Sequence, residues 1–291
     1  MGDPRPLRLS LVQVEPRLGD LRANLEKAAE VVAEEDRAGQ DLVIFPELNL
    51  CGYFLKDLVP ETAVRLDGPE LAELAKAAGN STVVVGCVLE SRDHLFFNAA
   101  VVLRAHGVAH VHRKLYLPTY GMFDEQRYVG AGSAVESVEL DFGQAGSWRL
   151  GALICEDLWH PSAPYLLSRQ GVDLLVCPSA SPGRGVAEPN GELGTAALWG
   201  ALVRTYSALF TTFVAYCNRV GFEDGHYFWG GSRVHGPTGE ALGDPLGDAP
   251  GVGRRELDRR WLRRARISYP LLRDERTELL RQGLREPSGG L

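Results

Sequence analysis

Leu150-Gly-Ala-Leu-Ile-Cys155-Glu-Asp-Leu-Trp-His-Pro161 reads as a buried strand that runs out at a cysteine, followed by two acids and a helix start. Working outward, residues 148–154 form the expected strand, 160–169 a helix, 172–177 a strand, 196–210 a helix and 212–217 a strand. Toward the N-terminus, Leu7, Leu9 and Leu11 alternate with Arg8 and Ser10 as a half-buried strand, and 21–37 is an alanine-rich amphipathic helix. The apolar run 42–45, a helix after Gly68-Pro69, and strands over 82–89 and 97–103 repeat the alternation. Residues 97–112 and 135–154 hold successive strands with no helix between them. An α/β chain with a mixed sheet, or with two sheets packed face to face under helices, is therefore expected.

The 291 residues are 45% hydrophobic and 24% charged, the composition of a globular protein with a sizeable core. No apolar run approaches the ~18 residues of a membrane-spanning helix. The opening Met1-Gly-Asp-Pro-Arg-Pro lacks a secretory pattern, so a cytoplasmic location is the expectation. Five widely spaced cysteines without a C-x-x-C pair read as reduced thiols. A formal charge of −7 disfavours nucleic acid as a partner, and the seven arginines between Arg254 and Arg266 read as a solvated helix. Pro/Gly-rich stretches at 182–194 and 236–253 are expected to be functional loops. Residues 1–255 are expected to form one domain and 256–291 a tail that docks on the body or on a partner.

Three reactive residue types sit at expected strand ends, where α/β folds place chemistry. Leu42-Val-Ile-Phe leads into Pro46-Glu47, a carboxyl that an apolar pocket would tune toward neutrality for acid–base work. An ordinary loop glutamate paired with an arginine is the alternative. Lys114 ends the strand after Val111-His-Arg and is one of only four lysines (27, 56, 76, 114) among 31 basic residues. It can aim an ammonium at an oxyanion or snorkel to solvent. Cys155, near a helix dipole and a base, is a candidate nucleophile, with a small core hydrophobe as the alternative. His110 and His112 alternate onto one face and offer two ligands to a metal, without a third. His160 fits a capping turn better than a partner for Cys155, and Gly230-Gly-Ser232 lacks the lysine of a phosphate loop.

Phe45-Pro-Glu47, His112-Arg-Lys114 and Ile154-Cys-Glu-Asp157, in this order, resemble the nitrilase superfamily of carbon–nitrogen hydrolases and its Glu-Lys-Cys triad. Phe45-Pro-Glu-Leu-Asn-Leu-Cys-Gly-Tyr53, Lys114-Leu-Tyr-Leu-Pro-Thr-Tyr120 through Tyr128, Ser179-Ala-Ser-Pro182 and Asn218-Arg-Val-Gly221 look like the glutaminase branch of glutamine-dependent NAD synthetases. The resemblance implies a four-layer αββα sandwich that forms homodimers or higher homo-oligomers and needs no metal or cofactor. It assigns Glu47 as general base, Lys114 as oxyanion stabiliser, Cys155 as nucleophile and Glu125 as the second glutamate near them. Tyr120, Ser181 and Arg184 match positions that hold glutamine in that branch, and Glu156 is counted with them. The Ser-Gly-Gly-x-Asp-Ser segment of that branch's ATP-using domain is not found, so ammonia is expected to pass to a separate NAD synthetase subunit. Cys177 stands where relatives often have asparagine. A free-standing amidase or N-carbamoyl hydrolase of β-ureidopropionase type is the alternative enzyme. A catalytically inert binding subunit on the same scaffold is the alternative from another class.

Overall fold

The computed structural model describes residues 4–183 and 193–285. Its strands, in chain order, are β1 (Leu7–Gln13), β2 (Leu42–Ile44), β3 (Thr82–Glu90), β4 (Phe96–Arg104), β5 (Gly107–Arg113), β6 (Ser137–Asp141), β7 (Ser147–Ala152), β8 (Leu174–Ser179), β9 (Phe213–Asn218), β10 (Val220–Glu223), β11 (His226–Trp229), β12 (Arg233–His235) and β13 (Gly251–Leu257). The helices are α1 (Leu21–Arg37), α2 (Val59–Thr62), α3 (Pro69–Ala78), α4 (Ser162–Arg169), α5 (Gly194–Leu209), α6 (Arg259–Ser268), α7 (Leu271–Asp274) and α8 (Thr277–Arg285). One sheet has the order β13-β1-β2-β3-β4-β5, a second the order β12-β9-β8-β7-β6, and β10 and β11 form a hairpin.

Strand alternation sorts the side chains between layers. Leu9 and Leu11 of β1 and Ile44 of β2 face Leu150 of β7, Val176 of β8 and Ala215 of β9 in one core between the sheets. Their neighbours Val43 and Val85 turn the other way, onto Leu25 and Val32 of α1 and Leu71 and Leu74 of α3. On the far side Leu175 and Val214 pack under Leu167 of α4 and Trp199 of α5. The result is the four-layer αββα sandwich. Truncating a fully buried leucine such as Leu9 to alanine should cost about 2–5 kcal/mol.

This topology brings the reactive strand ends to one edge. β1, β2 and β3 run parallel, β4 antiparallel and β5 antiparallel again, so β2 and β5 end on the same side. β7, β8 and β9 are likewise parallel to one another. Gly86 of β3 lets the chain cross above it after β2: a Cβ there would stand 2.4 Å from Pro46 O and from Leu48 N. That close approach sets where Glu47 leaves the sheet.

The boundary expected after residue 255 falls inside β13, which pairs along the whole of β1 from Leu7↔Leu257 to Gln13↔Gly251. Beyond it, Leu262 and Ala265 of α6 are buried, and Arg266 donates to Asp173 Oδ1 at 2.9 Å. Tyr165 of α4 donates to Glu275 just before α8. No helix among the described residues is long and apolar enough to cross a membrane.

Candidate active site

Glu47 is buried, and not in the apolar pocket its sequence context suggested. Its Oε1 accepts hydrogen bonds from Lys114 Nζ at 2.7 Å and Asn98 Nδ2 at 2.8 Å, and its Oε2 accepts the Ala180 N–H at 2.8 Å. Those donors come from both sheets, so the carboxylate lies at their junction. Three donors fix its orientation.

Lys114 follows β5 and is as buried as Glu47. Its ammonium also donates to Glu125 Oε1 at 2.6 Å. Burial alone would push this lysine down, but the charges of Glu125 and Glu47 outweigh it and hold it well above its ordinary value, so it is a cation. The Glu125 carboxyl is pushed up to about 6, first by burial and further by Glu47, against the pull of Lys114. Tyr53 donates its hydroxyl to the same Glu125 oxygen. Burial, then Glu125, keeps that phenol protonated. Tyr53 is itself anchored, since its N–H and that of Phe54 each donate to Glu223 Oε1 at 2.7 Å. Glu223 pairs in turn with the buried Arg219, whose guanidinium lies 4.2 Å from the centroid of the Phe228 ring.

Cys155 stands past the end of the second sheet's β7, after Leu153 and Ile154, and opens a 3-10 turn over Cys155–Trp159. It adopts φ of +44°, a left-handed conformation that a non-glycine residue holds only when its surroundings impose it. The other four cysteines are fully buried, whereas Cys155 is partly exposed. Burial first, then the negative charge of Glu47, push its thiol well above the ordinary value, with Lys114 pulling it back. The sequence suggested a cysteine activated by a helix dipole and by a nearby base; α4 starts only at Ser162, so activation of the thiol is left to the base.

The remaining candidates are distributed around this cluster. Tyr120 donates to Glu156 Oε2 at 2.9 Å, and both line a cleft of about 540 Å³ together with Tyr116 and His160. His160 stacks on Tyr116 with ring centroids 3.6 Å apart and so serves that wall instead of Cys155. Ser181 follows Ala180, is buried, and accepts from Trp199 Nε1 at 2.8 Å through its hydroxyl. Arg184 lies outside the described residues. The histidine pair differs in environment: His112 is buried against Asp157, while His110 is half-buried. Asn98, Tyr53 and Asp157 were not singled out from sequence. Asn98 carried a usable signal, as a polar residue inside the apolar run Phe96-Phe-Asn-Ala-Ala-Val101.

The model of the carbon-nitrogen hydrolase family matches residues 8–267. A glutamine-dependent NAD(+) synthetase of Thermotoga maritima is 35% identical over 243 residues, which cover 81% of this chain and 39% of that protein. The chain thus spans less than half the length of the synthetases it matches. Among solved structures, glutamine-dependent NAD+ synthetase from Acinetobacter baumannii superposes with a TM-score of 0.77 at 27% identity, over 89% of this chain and 47% of that one. A mutant of the amidase from Nesterenkonia sp. AN1, with acrylamide joined by Michael addition to its active-site cysteine, gives 0.77 at 25% identity over 95% and 99%. The chain belongs to the carbon-nitrogen hydrolase family, enzymes that hydrolyse carbon–nitrogen bonds.

Proposed function

We propose that this enzyme hydrolyses the side-chain amide of glutamine through a Cys155 thioester. The observation that carries the reading is the buried Glu47–Lys114 pair at 2.7 Å, with Lys114 shared by Glu125 and with both Glu47 and Lys114 acting on the Cys155 thiol. Glu47 takes the thiol proton and the sulfur attacks the amide carbonyl. Lys114 and the backbone N–H after Cys155 receive the oxyanion. The negative charge moves from Glu47 to sulfur to oxygen, always beside Lys114. Glu125 keeps the lysine a cation when Glu47 has been protonated. Glu47 then protonates the departing nitrogen, ammonia leaves, and a water activated by Glu47 cleaves the thioester to the acid, with Glu125 helping to position it.

Glutamine as substrate is supported by the cleft that Glu156, the residue after Cys155, lines, where its carboxylate is on offer to an ammonium group and Tyr120 adds a hydroxyl. The likeness to glutamine-dependent NAD(+) synthetases points the same way. In this reading Ser181 and Arg184 complete the substrate site, and the ammonia passes to an NAD synthetase subunit. The working form is a homo-oligomer in the cytoplasm, a compartment that suits five unpaired cysteines.

A second reading, a free-standing amidase or N-carbamoyl hydrolase, is favoured by the end-to-end match to the Nesterenkonia amidase. Ammonia release measured across glutamine, other ω-amides and N-carbamoyl amino acids separates the two. The glutaminase reading expects the highest kcat/KM for glutamine. Turnover of another amide with none of glutamine, even with an NAD synthetase present, overturns it.

A further inference from the structure

Asp157 makes none of the contacts expected of a reacting group, yet it is fully buried and its carboxylate collects four donors. Oδ1 accepts from Leu115 N at 2.9 Å and Tyr116 N at 3.0 Å. Oδ2 accepts from Ile154 N at 3.0 Å and from His112 Nε2 at 2.8 Å. A carboxylate only accepts, so Nε2 is the protonated nitrogen of His112. The donors fall into two groups. His112, Leu115 and Tyr116 bracket Lys114, which comes from the first sheet, and Ile154 immediately precedes Cys155, which comes from the second. The Asp157 N–H closes a loop by donating to Ile154 O at 3.0 Å.

We infer that Asp157 is a positioning residue that holds the Lys114 strand end and the Cys155 turn to one carboxylate, fixing ammonium and sulfur relative to each other. The conformation at Cys155, φ +44°, persists only under such restraint. Lys114 has other tethers, since its N–H donates to Asn98 O and its carbonyl accepts from Gly132 N. The Cys155 turn therefore depends on Asp157 more than Lys114 does.

Asparagine is nearly isosteric here but presents two N–H groups where four donors converge. His112 can change tautomer and accept from an amide nitrogen at the Oδ2 position, whereas Ile154 N–H cannot. Asp157→Asn thus keeps the Lys114 side and releases the Cys155 side.

The inference rests on Cys155 being the nucleophile, so the test has one readout that needs no turnover. In Asp157→Asn, kcat should fall roughly 10- to 100-fold with KM within about twofold, as sulfur leaves its reacting geometry. Alkylation of Cys155 by iodoacetamide at neutral pH should become faster, by about threefold or more, because burial and Glu47 no longer hold the thiol up. His112→Ala should show the same pattern more weakly, and His112→Gln, which restores an N–H donor, should recover it. This pair decides the matter if Asp157→Asn does not fold. Glu35→Gln, a remote buried carboxylate, controls for lost stability alone. Unchanged kcat and alkylation in folded Asp157→Asn, or an equal loss of kcat in Glu35→Gln, overturns the inference. A wild type inactive on every amide would instead count against the catalytic reading, and alkylation would still test the clamp.

Discussion

Two buried glutamate clusters, each built around a basic side chain, end in opposite electrostatic states. Under the first sheet, Glu35 of α1 accepts from Ser10 Oγ at 2.6 Å and from Arg254 Nε and Nη2 at 2.9 and 2.7 Å. Burial opposes its ionisation, but the hydrogen bonds from Arg254 and Ser10 outweigh burial and hold the carboxyl below its ordinary value. At the sheet edge, one ammonium serves two carboxylates, and Glu125 is left pushed up to about 6. A balanced pair locks its charge and serves the fold. A cluster with one carboxylate in surplus can take up and release a proton near neutrality, which hydrolysis requires.

The sharpest way to break the contrast is to remove the shared cation. Lys114→Met should lower kcat about 10²- to 10³-fold, the cost of one oxyanion donor. It should also destabilise the protein by about 3–5 kcal/mol at neutral pH, because Glu47 and Glu125 lose their counter-charge. That deficit should shrink in acid as Glu125 takes up a proton, and urea unfolding across pH measures it.

Removing the surplus carboxylate instead should reshape the pH dependence. With Glu125 ionising at about 6, the wild-type rate should rise with pH through that value, and Glu125→Gln should flatten the limb. Stability should run the other way. A carboxyl raised from 4.5 to about 6 binds more protons folded than unfolded, so its contribution is present below 4.5 and lost as pH climbs through 6. The loss amounts to about 2 kcal/mol and should be missing from the glutamine variant's unfolding curves.

Glu35→Gln should leave kcat intact and cost about 1.5–3 kcal/mol at pH 7, the worth of its charged hydrogen bonds. Its deficit should be constant above the ordinary carboxyl range and vanish as pH falls through the lowered value, the reverse of Glu125. Smallest of all, Lys56→Ala removes a lysine whose pair with Asp224 is solvent-exposed, with side chains 61% and 47% accessible. Neither Tm nor kcat should change measurably.

Local pattern carried much of this architecture. The helix expected over 21–37 is α1 without a shift, and Glu47, Lys114 and Cys155 all stand just past the strands whose apolar runs announced them. The scarcity of lysine helped, since Lys114 is the one lysine that is buried. What escaped depends on partners far along the chain. β13 alternates Arg254 and Arg255 at a sheet edge after a Gly-rich loop, and only pairing with β1 makes it a strand. Asn98 reaches Glu47 because β3 and β4 align Val88 with Asn98, and Tyr53 meets Glu125 only when two loops fold together. Asp157 looked like an acid beside a nucleophile, whereas three of its four donors, His112, Leu115 and Tyr116, come from the β5 end of the other sheet.

The central claim is that Glu47, Lys114 and Cys155 converge on one acyl carbon. Intact-protein and peptide mass spectrometry after rapid acid quench of a glutamine reaction tests it directly. The account predicts a glutamyl adduct confined to Cys155, absent in Cys155→Ala and strongly reduced in Lys114→Met. Ammonia release with no adduct at Cys155, or undiminished hydrolysis by Cys155→Ala, would contradict it.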